Sequence, residues 1–402
     1  MQYIQDILKD CYTPAIINQI PKKSPLYAVL KKKVASVYGK RVVIPVQFGF
    51  TEAVGARAAN DYDLPSAQRN TYDQAYITLK RLYGRVMVDG FSIDSAKGKG
   101  GWIDVMTGET KGATNSFAID LDRQLMGGGR GILAAVTSIA GQVITVQDPA
   151  GIVGDTPFTK WFRKGQMIDI YTAAGVARQL GLQVSVVAAT TITVVGTVTS
   201  IAATDVILKQ KTFEAAVGFG SGEMMGIDGI VSVGNTPYTD FEGIDRAEAL
   251  WQANVATSVG LIDETKIQVL LDTIDDKTDG EAVNFCLTTK TIRNKVISLM
   301  QTLRQLDTLT FKAGWKAIKY VGGEIELPIM THKNCPVGYM YLLALAHLRM
   351  YMLRQLTWDD KGGGVIKPVS GKDAYESWFK LYGNLGTDCS NAHGKGTGIT
   401  VA

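Results

Sequence analysis

The sequence predicts an α+β chain built from several units, with a small all-β module set among them. Three observations predict it. Residues 132–208 hold only eight charged residues and no glutamate, and QVITVQ, QMIDIY, LQVSVVAATTITVVGTVTSI and DVILKQ alternate between Gly, Asp and Pro turns. That period of two is the mark of strands with one buried face. Helical spacing dominates other stretches, among them WIDVMTGETKGATNSFAIDLDRQLM and DETKIQVLLDTIDD. Residues 42–93 are strand-like at both ends yet contain few large apolar residues between them.

Composition bounds the rest. A chain of 402 residues, 46% hydrophobic and 20% charged, is a folded protein with room for more than one domain. Its net charge of +4 excludes a histone-like polycation. Cys11, Cys286, Cys335 and Cys389 lie far apart, so no pair has zinc or redox spacing. Three histidines, His332, His347 and His393, leave little for histidine-based metal chemistry. MQYIQDILKD carries acids early and does not read as a signal peptide. The uncharged run between Arg178 and Asp205 is long enough to span a bilayer, but its threonines and glycines suit strands, so no membrane span is expected. Synthesis in a reducing cytoplasm is expected.

Taken in order, residues 1–41 form a basic arm. Lys9, Lys22, Lys23, Lys31, Lys32, Lys33, Lys40 and Arg41 stand against Asp6 and Asp10, a net +6, which leaves the remainder at −2. Ser24-Pro25 is a helix start, Leu26, Val29, Leu30, Val34 and Val37 follow at helical spacing, and Gly39 is the stop. The cations suit nucleic acid or an acidic partner, and equally a solvated helix flank. Residues 42–93 read as a long two-stranded excursion, VVIPVQFGF paired with AYITLKRLYGRVMVDGF. Such a hairpin needs a surface to lie on, either a neighbour or its own domain. Residues 94–131 hold a long helix over 102–126, weakened by Gly108 and Gly112 and stopped by GGGRG.

After the β module, residues 209–240 read as extended. Residues 241–360 read as α/β. There, DRAEALWQANVATSV and DETKIQVLLDTIDD are helices and AVNFCLTTK is a buried strand. A helix follows from Thr291 to Leu306, then a hairpin turning at Gly322-Gly323, then a long apolar run. Residues 361–402 read as a strand, ESWFKLYGNLG, leading into a glycine-rich tail.

The search for catalytic chemistry returns little. HExxH, GxSxG, CxxC and GxxxxGK[ST] are all absent. Gly218, Gly220 and Gly222 depart from dinucleotide-loop spacing and read as structural. Asp275-Asp276 and Asp359-Asp360 read as solvated pairs, His347 as a packed core histidine, and Cys286 as a small buried residue. No cofactor or metal is expected, and the chain reads as no enzyme.

The order of parts resembles the major capsid proteins of tailed bacteriophages, the Hong Kong 97-like fold shared with encapsulin shells. In that resemblance VVIPVQFGF…AYITLKRLYGRVMVDGF is the extended loop and WIDVMTGETKGATNSFAIDLDRQLM the spine helix of a peripheral domain. Residues 241–360 are the axial domain, and YESWFKLYGNLG closes the peripheral sheet. The 132–208 module, a β-barrel or β-sandwich, is extra to the minimal fold. The resemblance implies a homo-oligomeric shell of hexamers and pentamers around double-stranded DNA, assembled in a bacterial cytoplasm and located in the virion capsid, with scaffold, portal and decoration proteins as further partners. It places Lys22, Lys23, Lys31, Lys32, Lys33, Lys40 and Arg41 toward DNA or scaffold, and makes Arg57, Asp61 and Arg69 candidates for intersubunit ion pairs. An encapsulin-like compartment, another virion part, and a monomeric enzyme with a β accessory domain remain alternatives.

Overall fold

The computed structural model describes residues 25–33, 37–51, 53–58, 63–91, 101–148, 159–214, 219, 222–233, 240–278, 283–303, 307–310, 316–322, 325–360 and 364–401. Helix α1 (Pro25–Val29) is one turn long and gives way to strand β1 (Lys31–Lys33). The helix expected to run to Gly39 therefore ends at Val29. The reason is a competing partner: Lys31–Lys33 lie in parallel register with Arg349–Tyr351. Backbone groups committed to a sheet ladder cannot also close helical turns.

Strand β2 (Arg41–Gly49) pairs antiparallel with β3 (Thr71–Thr78), Arg41 opposite Thr78. The second strand of the excursion does not run unbroken. It divides at Leu79, and β4 (Lys80–Asp89) leaves the hairpin to join another sheet. Helix α2 (Gly101–Met126) follows. Phe117, Ala118, Leu121 and Leu125 recur on its buried face at spacings of three and four. Just beyond its end the chain turns away at Gly129 and Gly131, both in the left-handed region at φ +74 and +76.

The stretch read as a β module is a closed barrel. Strands β5 (Ile132–Ala140), β6 (Val143–Gln147), β7 (Met167–Tyr171), β8 (Ala177–Val187), β9 (Thr191–Val195) and β10 (Val206–Lys209) close in the order β10-β5-β6-β9-β8-β7. Alternate residues turn inward: Ile144 and Val146, Ile192 and Val194, Leu182 and Val184 fill it with Phe162 and Ile170. Every strand has two neighbours, so no edge is left open.

Of the stretch 209–240, residues 215–218, 220–221 and 234–239 lie outside the described residues; among those described between β10 and β11 the regular element is the single turn α3 (Ile227–Ile230), and β11 (Asp240–Phe241) and β12 (Ile244–Asp245) then form a miniature hairpin. Its two turn residues, Glu242 and Gly243, both have positive φ, +54 and +84, as a two-residue turn of this hand requires. The helix expected over DRAEALWQANVATSV is absent. A short turn at Ala249–Trp251 leads into β13 (Asn254–Ala256) and then β14 (Gly260–Leu261). Here tertiary partners override propensity. The Trp251 indole N–H donates to the Phe241 carbonyl at 3.1 Å, and Asn254 Nδ2 donates to the Asn391 carbonyl at 2.8 Å. A continuous helix would withdraw both.

Helix α4 (Glu264–Thr278), β15 (Phe285–Thr288), α5 (Lys290–Leu303), β16 (Asp307–Thr310), β17 (Lys316–Gly322), β18 (Ile325–Thr331) and β19 (Met340–Leu343) build the α/β part. The apolar run after β19 turns into β20 (Leu348–Trp358), followed by β21 (Lys367–Pro368), β22 (Ala374–Thr387), β23 (Gly394–Gly396) and β24 (Ile399–Thr400). The glycine-rich end is thus not a tail. β23 inserts between β13 and β19, and β24 pairs with β14.

Two sheets result. One has the order β13-β23-β19-β15-β18-β17-β16. Its central strands β15 and β19 are buried at every position, on both faces, which explains the unbroken apolar character of FCLT and MYLL. Cys286, Met340 and Leu342 face α4 and α5, while Phe285, Leu287, Tyr341 and Leu343 face a second core. That core also holds α2 and the sheet of β1, β20, β22, β21 and β4. Phe117 of α2 meets Phe379 of β22 edge to face at 5.2 Å between ring centroids.

Candidate functional site

The hairpin β2–β3 and the chain at its two ends form the candidate site. One face of β2 is half-buried on the core through Ile44, Val46 and Phe48, with Phe48 edge-on to Trp251, while β3 is buried only at its root. Ala75 and Ile77 are enclosed, whereas Thr71–Gln74 are exposed on both faces of the strand. Beyond it, Phe50 is 85% exposed, Val54 84%, Leu64 88% and Tyr72 64%. Large apolar groups on an element with no core of its own are the signature of a surface completed by another molecule. The outer segment is held by local bonds: Thr51 N–H to Asn70 Oδ1 at 2.8 Å, Thr51 Oγ1 to the Gln68 carbonyl at 3.0 Å. Periodicity in the sequence does not single out these apolar residues, because each stands alone among small and polar neighbours. Their signal is that Phe50, Val54 and Leu64 occur where nothing local could bury them.

The root is anchored in three places. Leu79 N–H donates to the Lys40 carbonyl at 3.2 Å, and Tyr76 N–H donates to the Glu242 carbonyl. Ile77 packs with Val37 and Tyr351. Behind the root the Glu242 carboxyl is fully buried. Its Oε1 accepts from Thr387 N–H at 3.1 Å, and its Oε2 has no hydrogen-bond partner. Burial pushes its pKa up to about 8, against the opposing pull of the Thr387 N–H and of Arg246. Arg246 is itself buried, donating to the carbonyls of Ser232 and Gly229, with its guanidinium over the Phe241 ring.

The predicted site residues fall as follows. Lys22, Lys23 and Asp61 lie outside the described residues. The backbone of Lys31, Lys32 and Lys33 is the edge strand β1, beside Arg349–Tyr351. Lys40 is exposed at the foot of the hairpin, and the Arg41 guanidinium lies 4.3 Å from the Tyr76 ring centroid. Arg57 and Arg69 are exposed, but Arg57 Nε donates to the Asp63 carbonyl at 2.7 Å within its own loop. The structure therefore gathers Lys40 and Arg41 at the root and Arg57 and Arg69 at the outer end.

Groups considered for chemistry resolve into structure. Cys286 is fully buried, and burial raises its thiol pKa far above the ordinary value, which suppresses the thiolate. His347 is not a core histidine. It lies at 2.7 Å from Asp388, which also pairs with Arg349. Asp275 and Asp276 are exposed, but Asp359 is not solvated: it is buried between the ammoniums of Lys367 and Lys380, each at 2.9 Å. Burial alone would raise its carboxyl pKa, and the two lysines overcome this and lower it. Gly222 stands where a Cβ would meet the Thr212 carbonyl oxygen at 2.7 Å, a close backbone approach; Gly218 and Gly220 lie outside the described residues. Among the described residues no group of three His, Cys, Asp or Glu could hold a metal ion, and no helix is long and apolar enough to cross a membrane.

No protein-family model matches the sequence, and no curated protein matches it. Solved structures do. The chain is similar to the protein of the cyanophage A-1(L) capsid asymmetric unit, at 12% identity and a TM-score of 0.56, over 94% of this chain and 93% of that one. It is also matched to the capsid of the native GTA particle, at 9% identity and a TM-score of 0.48 over 94% and 91%, and to the virus-like particle from Pyrococcus furiosus, at 8% and 0.44 over 96% and 98%. The first of these carries the fold. The chain has the Hong Kong 97-like capsid fold of tailed-phage shells, α+β in class.

Proposed function

We propose that the chain is a major capsid protein that self-assembles into a closed shell enclosing the double-stranded DNA of a tailed bacteriophage. The observation that carries this reading is the hairpin β2–β3 with the segment joining its strands: one face of β2 rests on the core, but Tyr72 on β3 and Phe50, Val54 and Leu64 in the joining segment stand exposed, in a chain whose fold follows a phage capsid protein almost end to end. A two-stranded ribbon is marginal alone and gains stability against a neighbour. Repeated around a closed symmetric assembly, modest contacts of this kind sum to a stable shell. In this reading hexamers and pentamers are the building units and the role is structural, not enzymatic. The basic arm, with Lys22, Lys23, Lys31, Lys32, Lys33, Lys40 and Arg41, faces DNA or a scaffold and lowers charge repulsion without reading sequence. Arg57, Asp61 and Arg69 contribute ion pairs between subunits. The barrel is a module added to the peripheral part, and scaffold, portal and decoration proteins are further partners.

The test is sedimentation and negative-stain microscopy of the full chain, in dilute buffer and with a crowding agent. Closed shells or rings of five and six are expected. A chain that stays monomeric under both conditions overturns the reading. Arg57→Glu is expected to impair assembly while leaving the monomer's melting temperature unchanged. Normal shells from that variant would remove the ion-pair assignment and leave the shell assignment standing.

A further inference from the structure

Where α2 passes the foot of the barrel, the two enclose a cleft of about 430 Å³. Its floor is apolar: Ile119 from the helix, Trp161 from the loop before β7, and Met167 at the start of β7. At its inner end four charges cancel. Asp120 is engaged by Arg123 at 3.0 Å and Lys209 at 2.6 Å, and Arg123 also forks onto Glu223. What remains of the lining among the described residues is basic, since Lys160, Arg163 and Lys164 add three cations and no further carboxylate is found among those residues. Lys160 Nζ lies 5.0 Å from the Trp161 ring centroid, and Lys164 is exposed with no partner among the described residues.

A second observation points to a ligand. Gln166 also lines the cleft. Its Oε1 accepts from Arg163 N–H at 2.9 Å, which fixes the orientation of the amide. Its Nε2 is then buried with no acceptor. A buried donor without an acceptor is costly and uncommon in folded proteins. The cleft thus offers one orphaned N–H donor, three cations and an apolar floor. The complement is a set of acceptor-only anionic groups on a scaffold with aliphatic side chains. Carboxylates among aliphatic residues meet both needs. A phosphodiester backbone answers the cations but leaves Ile119, Trp161 and Met167 uncovered.

We propose that this cleft is a docking site for an extended acidic segment of another polypeptide, its carboxylates held by Lys160, Arg163, Lys164 and Gln166 Nε2 and an aliphatic side chain seated on Trp161 and Met167. The assignment does not rest on the shell reading, because the cleft is complete within one chain.

Fluorescence anisotropy on the full chain tests it, with a labelled peptide of alternating Glu and Leu as probe, against a Lys/Leu peptide and a short DNA duplex. The Glu/Leu peptide is expected to bind, more weakly as salt rises, and the Lys/Leu peptide not to bind. The double variant Lys160→Glu, Lys164→Glu is expected to lose at least tenfold in affinity with an unchanged melting temperature. Gln166→Leu keeps the rim charge and is expected to weaken the peptide several-fold without altering the salt slope. Duplex binding as tight as peptide binding would overturn the proposal in favour of nucleic acid. Absence of peptide binding, or full affinity in the double variant, would overturn it outright.

Discussion

The hairpin β2–β3 and the barrel are both antiparallel β structure drawn from strongly alternating sequence, and they solve the same problem in opposite ways. The barrel closes on itself, so Ile144, Ile192 and Val194 are fully enclosed and every strand edge is paired. The hairpin stays open: one face of β2 borrows the main core through Ile44, Val46 and Phe48, while Phe50, Val54, Leu64 and Tyr72 are left to solvent. The difference teaches that alternation specifies a strand with one face to hide, not what hides it. One region carries its core within itself; the other needs a surface that lies elsewhere.

The comparison breaks most decisively at the cores. Ile192→Ala in the barrel is expected to cost about 3 kcal/mol, as burial lost plus a cavity. Val54→Ala in the hairpin is expected to change the isolated chain by less than about 0.5 kcal/mol while weakening assembly. Denaturant melts of the unassembled chain, read beside sedimentation, measure both. Equal losses in the melts would erase the distinction.

A smaller effect sharpens it at the hairpin root. The Glu242 carboxyl titrates near 8 in the fold and near 4.5 when the chain unfolds. Its raised pKa means that stability is complete below the unfolded value and is lost as pH rises from about 4.5 through 8, because the unfolded chain ionises first. Each unit of that gap is worth about 1.4 kcal/mol. Glu242→Gln is therefore expected to gain on the parent as pH rises across this window, by more than about 2 kcal/mol at its top. A difference that stays flat with pH would show that the root holds no such buried acid.

Next comes β4, where the chain leaves the hairpin for a sheet. Gly84 lies under the Phe379 ring, where an added Cβ would approach to 2.1 Å. Gly84→Ala is expected to cost about 1–3 kcal/mol through overpacking, readable as a fall in melting temperature. The least effect belongs to the exposed ion pair of Arg85 with Glu376 on the same strand pair. Arg85→Ala is expected to cost less than about 1 kcal/mol, with the loss shrinking further in high salt. A larger loss would mean that β4 depends on surface charge and not on Phe379.

Much of this architecture is legible in the residues. The barrel, α2, α4, the helix α5 and the hairpin turning near Gly322 all follow from local periodicity and glycine placement. The hairpin's existence was readable too, though not its division at Leu79, which reflects the pairing of β4 with β22, some 290 residues away. The residues around Trp251 carry helical spacing yet form a turn and a strand, since their partners are Phe241, Asn391 and His393. Of the site, the cations of the arm and loop could be picked out by charge. Glu242 could not, because a buried acid differs from an exposed one only in its surroundings.

By itself the sequence determined where strands and helices of strong period lie, where the charge collects, and that one stretch is far poorer in core-forming residues than the rest. These are local properties, carried by neighbours one to four positions apart. Only the tertiary structure decided that β1 completes a sheet edge, that the C-terminal strands return to the seven-stranded sheet, that Asp359 sits between two lysines, and that Gln166 faces a basic cleft without an acceptor. Each depends on which distant backbone groups and charges meet, and burial and hydrogen-bond satisfaction are settled by that meeting and not by spacing along the chain.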